Sequence, residues 1–412
     1  MSDLYIFNPT GEMAIANGMH SFMPPRNLVR FEEDLAFLPS FYASDKDIVY
    51  TPRLPEPDFL ALWHKLGLPH INYSDTLKLP QVPYNYLRPW SWTPAIHHKT
   101  KHLKPYCSVH FKQSPNYMWK QSSRDFFSRE TTNRVQCLLN QDRNTENAIV
   151  VQTPAINISS IAQLDVWLAK QHAVILKTPW SSSGRGIHVI DPAKGRNANY
   201  AWIKGALKQQ GFVTAEPLLD KVFDFSFQLN LRQNGEMDFS GISYSINDSK
   251  QHFIGAHINW PYQANEISEL LTHTVLEQAV QRLIKAIKKI EPHTYYQGPI
   301  GVDAIVYRTA TGNLKIHPCI DINWRYNMGL INISMKRFVH PDSIGTWRIA
   351  SFAHGKWNNF IEQNRQLKPL HIANGNLLSG FINMTPPNIN AMFGVWMDVR
   401  RKPVPSVKYN SW

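Results

Sequence analysis

The sequence predicts a mixed chain: an α/β unit at the amino end, then α+β structure built on antiparallel strands. Three observations predict it. A strand, a turn-rich loop, a strand and an amphipathic helix follow one another over the first seventy residues. The apolar runs "AVILK" and "IHVID" flank a long polar loop and read as a hairpin. A second hairpin spans "GPIGVDAIVYRTATGNLKIHPCIDIN". At 412 residues the chain is too long for one ordinary core, so two or three domains or subdomains are expected.

Taken in order, "LYIF" (Leu4 to Phe7) reads as a buried first strand and "NPTGEMAIANG" as a loop at its carboxyl end. In open α/β sheets ligands gather at such ends. "DKDIVYTP" (Asp45 to Pro52) reads as the second strand. "EPDFLALWHKLGLP" carries Leu60, Trp63 and Leu66 at helical spacing, stopped by Gly67. From about Pro80 to Pro115 the chain is rich in proline, aromatic and basic residues without a period, and is expected to be an irregular ordered excursion. "SRDFFSRETTNRVQCLLNQ" reads as a helix with Arg129 near its start, and "SSIAQLDVWLAKQ" as a second helix with a serine cap. A third helix, "NANYAWIKGALKQQG", is ended by Gly211. "FVTAEPLL" and the hairpin around "QNGE" are strands, and "ISELLTHTVLEQAVQRLIKAIKKI" is one long amphipathic helix. The Pro-rich, basic tail after Met384 reads as surface loop.

Composition excludes some function classes. Hydrophobic content of 43% supports buried cores rather than disorder. The net charge of +12 favours anionic partners, but the Lys and Arg residues are scattered, which counts against a nucleic-acid binder. Three distant cysteines, Cys107, Cys137 and Cys319, indicate neither a disulfide framework nor a zinc site. A start lacking a basic leader, and the lack of a long apolar stretch, lead to the expectation of a cytoplasmic protein without a membrane span. "HHKTKH" (His97 to His102) reads as a solvated basic loop, and the aromatics from Tyr84 to Trp92 as packing.

Two stretches carry chemistry. In "KTPWSSSGRG", Lys177 ends a strand and a Ser/Gly run follows. Such a run lets successive N–H groups line an anion-binding concavity, and Lys177 adds a point charge. The loop has no GxxxxGK[ST] pattern and does not enter a helix, so it is not a Walker A loop. Alone it is equally readable as an exposed hairpin. The second stretch places Asp303 in an otherwise apolar strand, with Asp321 and Asn323 two apart on the next. If those strands pair antiparallel, the two carboxylates approach one another on one face. Such an oxygen cluster suits Mg²⁺ beside phosphate oxygens. Arg325, two further on, is placed to meet a substrate anion.

An early helical cation, then "VILKTPWSSSGRGIHVI", "FVTAEPLLDKVFDFSFQ", "GVDAIVY" and "HPCIDINWR", in that order, resembles the ATP-grasp superfamily over roughly residues 122–329. The resemblance implies nucleotide bound between antiparallel sheets. It implies an amino-terminal α/β domain (1–121), a lid subdomain (122–215), a nucleotide- and metal-binding subdomain (216–340) and a carboxyl-terminal extension (341–412). It assigns Lys177 and Arg129 to the phosphates, Arg129 standing where a lysine is usual. Ser181, Ser182, Ser183, Gly184, Arg185 and Gly186 would form the lid over the phosphates. Glu216 and Leu218 would lie at the adenine, and Asp224 at the ribose. Asp303, Asp321 and Asn323 would hold Mg²⁺, with Asp321 in place of the more frequent glutamate. Asn17 and Arg26 would meet the substrate. The implied activity is ATP- and Mg²⁺-dependent joining of a small-molecule or peptide carboxylate to an amine through an acyl phosphate, with Lys177 and Arg325 neutralising charge. A small-molecule kinase and a non-catalytic nucleotide binder are the rival expectations. Oligomeric state stays open, a homodimer included.

Overall fold

Apolar runs at both ends of the chain turn into strands, and those strands make three sheets. The computed structural model describes residues 1–141, 148–150, 154–181, 184, 186–249, 252–259 and 266–403. The first sheet is wholly parallel, in the order β3-β2-β1-β4: β1 (Ser2–Ile6), β2 (Ile48–Tyr50), β3 (Asn72–Ser74) and β4 (Tyr84–Pro89). Leu4 and Val49 are fully buried in it, as expected of strands covered on both faces. The stretch from Pro80 to Pro115 is thus not irregular. It holds β4 and short helices at Pro94–Lys99 and Val109–Lys112, capped by the side chains of Thr93 and Ser108. Each element is only a turn or two long, too short to show a period. His97 is buried against Trp92 on the first of those helices, so "HHKTKH" begins in packed structure rather than in a solvated loop.

The second sheet is antiparallel, in the order β5-β8-β6-β7: β5 (Ile156–Ile158), β6 (Val174–Lys177), β7 (Ile187–Ile190) and β8 (Val213–Pro217). Helices Ile161–Leu168 and Tyr200–Gln210 cover it, burying Leu164, Leu176, Ile203 and Val213 completely. Ser160 caps the first helix through its side chain, and Gly211 ends the second with φ +87°.

The third sheet has nine strands. They are β9 (Asp220–Leu231), β10 (Met237–Asn247), β11 (Phe253–Ile258), β12 (Gly298–Arg308), β13 (Leu314–Asn323), β14 (Ser343–Ser351), β15 (His371–Ala373), β16 (Asn376–Asn383) and β17 (Phe393–Arg401). Their order is β13-β12-β9-β10-β11-β14-β17-β16-β15. The tail after Met384 is therefore not surface loop: β17 lies inside the sheet, hydrogen-bonded to both β14 and β16. Val395 and Met397 are fully buried and alternate with Trp396 and Asp398. Strands from beyond residue 340 continue the same sheet as β9 to β13. Asn332 secures that junction from the core. It donates to Ser243 Oγ and the His257 carbonyl, both at 3.0 Å, and accepts from Trp347 Nε1 at 2.9 Å.

Two expected helices are each divided. The stretch "ISELLTHTVLEQAVQRLIKAIKKI" breaks at Thr272, whose hydroxyl accepts from Val275 N and starts a new helix, His273–Lys288, after the short Glu266–Leu270. The other breaks at Phe127–Ser128 into Gln121–Phe126 and Arg129–Gln141. Cap chemistry overrides the apolar period in the first case. Among the described residues no helix is long and apolar enough to cross a membrane.

A chain ending at Met384 loses β17, and with it the ladders to β14 and β16. It is expected to lose cooperative thermal unfolding and to aggregate, read by calorimetry and light scattering. A sharp wild-type-like transition in that truncation contradicts an internal role for the strand.

Candidate functional site

The acid hairpin forms as its alternation predicts. β12 and β13 pair antiparallel with Asp303 directly opposite Asp321 and Gly301 opposite Asn323. Facing residues of an antiparallel pair leave the sheet on one side. The register then jumps, so that Ile305 faces His317. This bulge beside the two acids interrupts the ladder where side chains must be re-aimed.

Arg129 is the first residue of its helix, and its guanidinium is buried. Its Nε and Nη2 donate to Asp321 Oδ2 at 3.0 and 2.8 Å. Nη1 donates to the Thr178 carbonyl at 2.5 Å and to Ser181 Oγ at 2.6 Å, and Nη2 reaches the Ser181 carbonyl at 3.2 Å. One side chain thus ties the acid hairpin of the third sheet to the loop leaving β6 of the second. Lys177, 5% exposed, is ion-paired with Glu216 across the second sheet. His317, buried on β13, is held down to about 3 by burial first and then by the Lys177 ammonium, so it is neutral at pH 7.

The loop after Lys177 is pinched at its base. Thr178 N donates to the Gly186 carbonyl at 2.8 Å, and a Cβ at Gly186 would fall 2.1 Å from Thr178 Oγ1 and 2.2 Å from Ser181 Oγ. Only glycine fits there. Gly184 adopts φ +73°, the left-handed region. Ser182, Ser183 and Arg185 lie outside the described residues.

The other expected site residues sit around this centre. Glu216 closes β8, and Leu218 donates its N–H to the Ala173 carbonyl at 2.9 Å. Asp224, on β9, pairs with Lys221 at 2.7 Å and accepts from Asn247 at 2.9 Å. Arg325 is ion-paired with Glu12 and donates to Asn323 Oδ1 at 2.8 Å. Asn323 Nδ2 in turn donates to Asp303 Oδ2 at 3.1 Å.

Asp303 is exposed on β12, and the protein around it acts on its proton affinity all the same. Desolvation first, then the Asp321 charge opposite, raises it to about 7. Among the described residues no group of three or more His, Cys, Asp or Glu could hold a metal by itself. Asp303 and Asp321 do suit a cation, since they face each other on one side of the hairpin and present hard carboxylate oxygens. Asn323 points its amide nitrogen at Asp303, and its oxygen takes part only if the amide turns.

Asn17 and Arg26 are exposed, and neither lines the cleft beside the acid hairpin. The amino-terminal residue that does is Glu12, together with Ser91. Ser91 follows β4, and Glu12 lies on a helix, Gly11–Asn17, that forms just past β1 where the sequence reads as loop. Gly11 lets Glu12 in: a Cβ there would lie 2.2 Å from Ser91 Cβ. Arg124 steadies the same helix from its other end, donating to the carbonyls of Ile15 and Ala16 and stacking 3.9 Å over the Trp180 ring.

No family model and no curated protein matches the chain. Among solved structures it is similar to N5-carboxyaminoimidazole synthetase from Staphylococcus aureus complexed with ADP, at 12% identity over 96% of this chain and 92% of that one, TM-score 0.44. It is similar to a biotin carboxylase–β-γ-ATP complex from Campylobacter jejuni, at 11% identity over 97% and 88%, TM-score 0.48. It is also similar to L-amino acid ligase from Bacillus licheniformis, at 13% identity over 98% and 94%, TM-score 0.45. At these identities and scores the chemistry of this chain rests on its own side chains.

A raised carboxyl contributes stability below its unfolded value near 4 that is lost as pH rises through about 7. Asp303→Asn in metal-free buffer is therefore expected to melt higher relative to wild type at pH 8 than at pH 4.5. An equal difference at both pH values contradicts the raised proton affinity. Gly186→Ala is expected to lower the melting temperature by forcing Thr178 and Ser181 apart, which thermal denaturation checks.

Proposed function

We propose that the chain is an ATP-grasp-type ligase, using ATP and Mg²⁺ to join a carboxylate to an amine. The observation that carries this reading is the Arg129 guanidinium, which joins Asp321 of the opposed acid pair Asp303 and Asp321 to Thr178 and Ser181 of the loop that follows the buried Lys177. A triphosphate needs that combination: fixed positive groups for its oxygens, and hard oxygen donors beside them.

On this reading residues 122–215 form the lid subdomain and 216–340 the nucleotide subdomain. Lys177 and Arg129 hold phosphate oxygens, and the loop from Ser181 to Gly186 covers them. Glu216 and Leu218 lie beside the base and Asp224 beside the ribose. Asp303, Asp321 and Asn323 are the residues that would hold Mg²⁺, which supplies charge neutralisation to the phosphates when bound. Binding there asks Arg129 to share or release Asp321. Arg325 stabilises charge on the acceptor side.

The reaction needs positioning and electrostatics rather than a side-chain nucleophile. An acceptor carboxylate oxygen attacks the terminal phosphorus, and the bond to ADP breaks. The amine lone pair then attacks the acyl carbon, a C–N bond forms, phosphate leaves with the C–O bond, and the amine loses a proton.

ADP release on a panel of acid and amine pairs tests the reading, with isothermal titration of Mg-ATP beside it. Asp321→Asn and Lys177→Ala are each expected to lower turnover by on the order of 10²-fold or more. Wild-type turnover in both variants, or no Mg-ATP binding by the wild type, refutes it. A stable phosphorylated product formed without amine supports a kinase instead.

A further inference from the structure

The stretch from Pro80 to Pro115 takes no part in the proposed chemistry, yet it buries a lysine. Lys104, 6% exposed, opens the short turn Lys104–Tyr106. Its Nζ lies 2.6 Å from His97 Nδ1 and donates to the Tyr117 carbonyl. The rings of Trp92 and Tyr117 stand 5.7 and 5.4 Å from it. A lysine is almost never buried this far without a carboxylate. The local sequence offers none, since no Asp or Glu occurs between residues 76 and 124. The amine is held by an imidazole, a carbonyl and two rings.

Those neighbours decide where the proton sits. The titratable groups facing the amine are His97 on the helix Pro94–Lys99, Cys107 at the end of its own turn and Tyr117 on the turn Pro115–Tyr117. His20 acts on His97 from behind, and Lys112 and Asp3 act on Cys107. Burial lowers the Lys104 ammonium to about 8, opposed by Cys107. The Cys107 thiol is itself pushed up to about 11 by burial, so it is neutral where Lys104 titrates and supplies no counter-charge. His97 is held well below its usual value by burial, then by Lys104, then by His20. Its ring is therefore neutral, accepts at Nδ1 and carries its proton on Nε2. Lys104 is the donor of both bonds. Charged, it makes them charge-assisted and draws the two ring faces toward it. Uncharged, it keeps weaker bonds and loses the attraction of the rings.

The contacts run outward from there. Trp92 packs on His97 at 4.6 Å and on Phe111 at 6.0 Å. His97 meets Trp119 at 5.9 Å, and Trp119 stacks on Phe127 at 5.9 Å. Trp92 and Phe127 both line the cleft beside the acid hairpin. The lysine thus stands behind two side chains of that wall and touches nothing inside the cleft. We propose that Lys104 is a proton-operated tie: charged, it clamps His97, Tyr117 and Trp92 together, and loss of its proton in mildly alkaline solution slackens the wall they support. The inference does not rest on the ligase reading. The clamp lowers global stability where it is charged. A folded value below the unfolded one, near 10.4, means stability that is full above 10.4 and lost as pH falls through about 8.

The test follows the Trp92 indole resonance in the full chain, labelled with ¹⁵N-tryptophan and assigned with Trp92→Phe. In wild type the resonance is expected to shift with a midpoint near 8. In Lys104→Met, which keeps the stem and removes the amine, the shift is expected to vanish. His97→Gln separates amine from imidazole: a transition that persists there belongs to Lys104, and one that vanishes belongs to the ring and overturns the proposal. Melting curves supply the second readout. Lys104→Met is expected to raise the melting temperature relative to wild type by more at pH 7 than at pH 10.5. A merely structural lysine would change it equally at both. Should Lys104→Met fail to fold, the wild-type titration and His97→Gln still decide. A Trp92 resonance that stays fixed between pH 7 and 9, or one that moves equally in Lys104→Met, overturns the inference.

Discussion

Arg129 and Asp321 meet through a buried ion pair, and the site's geometry depends on it. The pair joins residues 192 positions apart, and through Thr178 and Ser181 it also fixes the loop that leaves the second sheet. Removing Asp321, which is partly exposed, would strand the buried Arg129 guanidinium without its carboxylate. The same pair gives Asp321 a guanidinium partner, while burial first and then the Asp321 charge opposite hold the Asp303 carboxyl up. The chain has put a fixed cation on one carboxylate and left the other available.

A second pair, Glu12 with Arg325, partly buried, adds a tie at the end of the hairpin. It anchors the parallel sheet's loop to the strand end beside Asn323. The centre is thus held from two sides by guanidinium groups, one on a helix start and one just past β13. Neither lies on a glycine-rich loop.

Local patterns made much of this legible. The alternation in "GVDAIVY" and "HPCIDIN" was enough to predict a hairpin that opposes Asp303 and Asp321, and that is the register observed. Serine and glycine caps at Ser160 and Gly211 were readable for the same reason, since their chemistry acts over three or four residues. The Glu12–Arg325 pair was not legible, because it joins residues 313 apart and no periodicity encodes a side-chain partner at that distance. β17 was hidden differently. Val395, Met397 and Val399 do alternate, but the prolines before them and the basic residues after them mark the stretch as loop. The break at Thr272 was masked because the apolar period runs on through it.

The placement of β17 between β14 and β16 separates the order of synthesis from the order of assembly. As the chain emerges from a ribosome, β14 and β16 each wait, with an unsatisfied edge, for a strand that follows both. The half bearing the acid hairpin waits as well, since β9 gains its partner β12 only after β10 and β11 have passed, but it closes before β14 begins. Long-range closures of this kind are slow, and they leave edges exposed to other chains. Protease protection of stalled nascent chains would then rise in two steps, one near residue 323 and one only after residue 401 has cleared the exit tunnel.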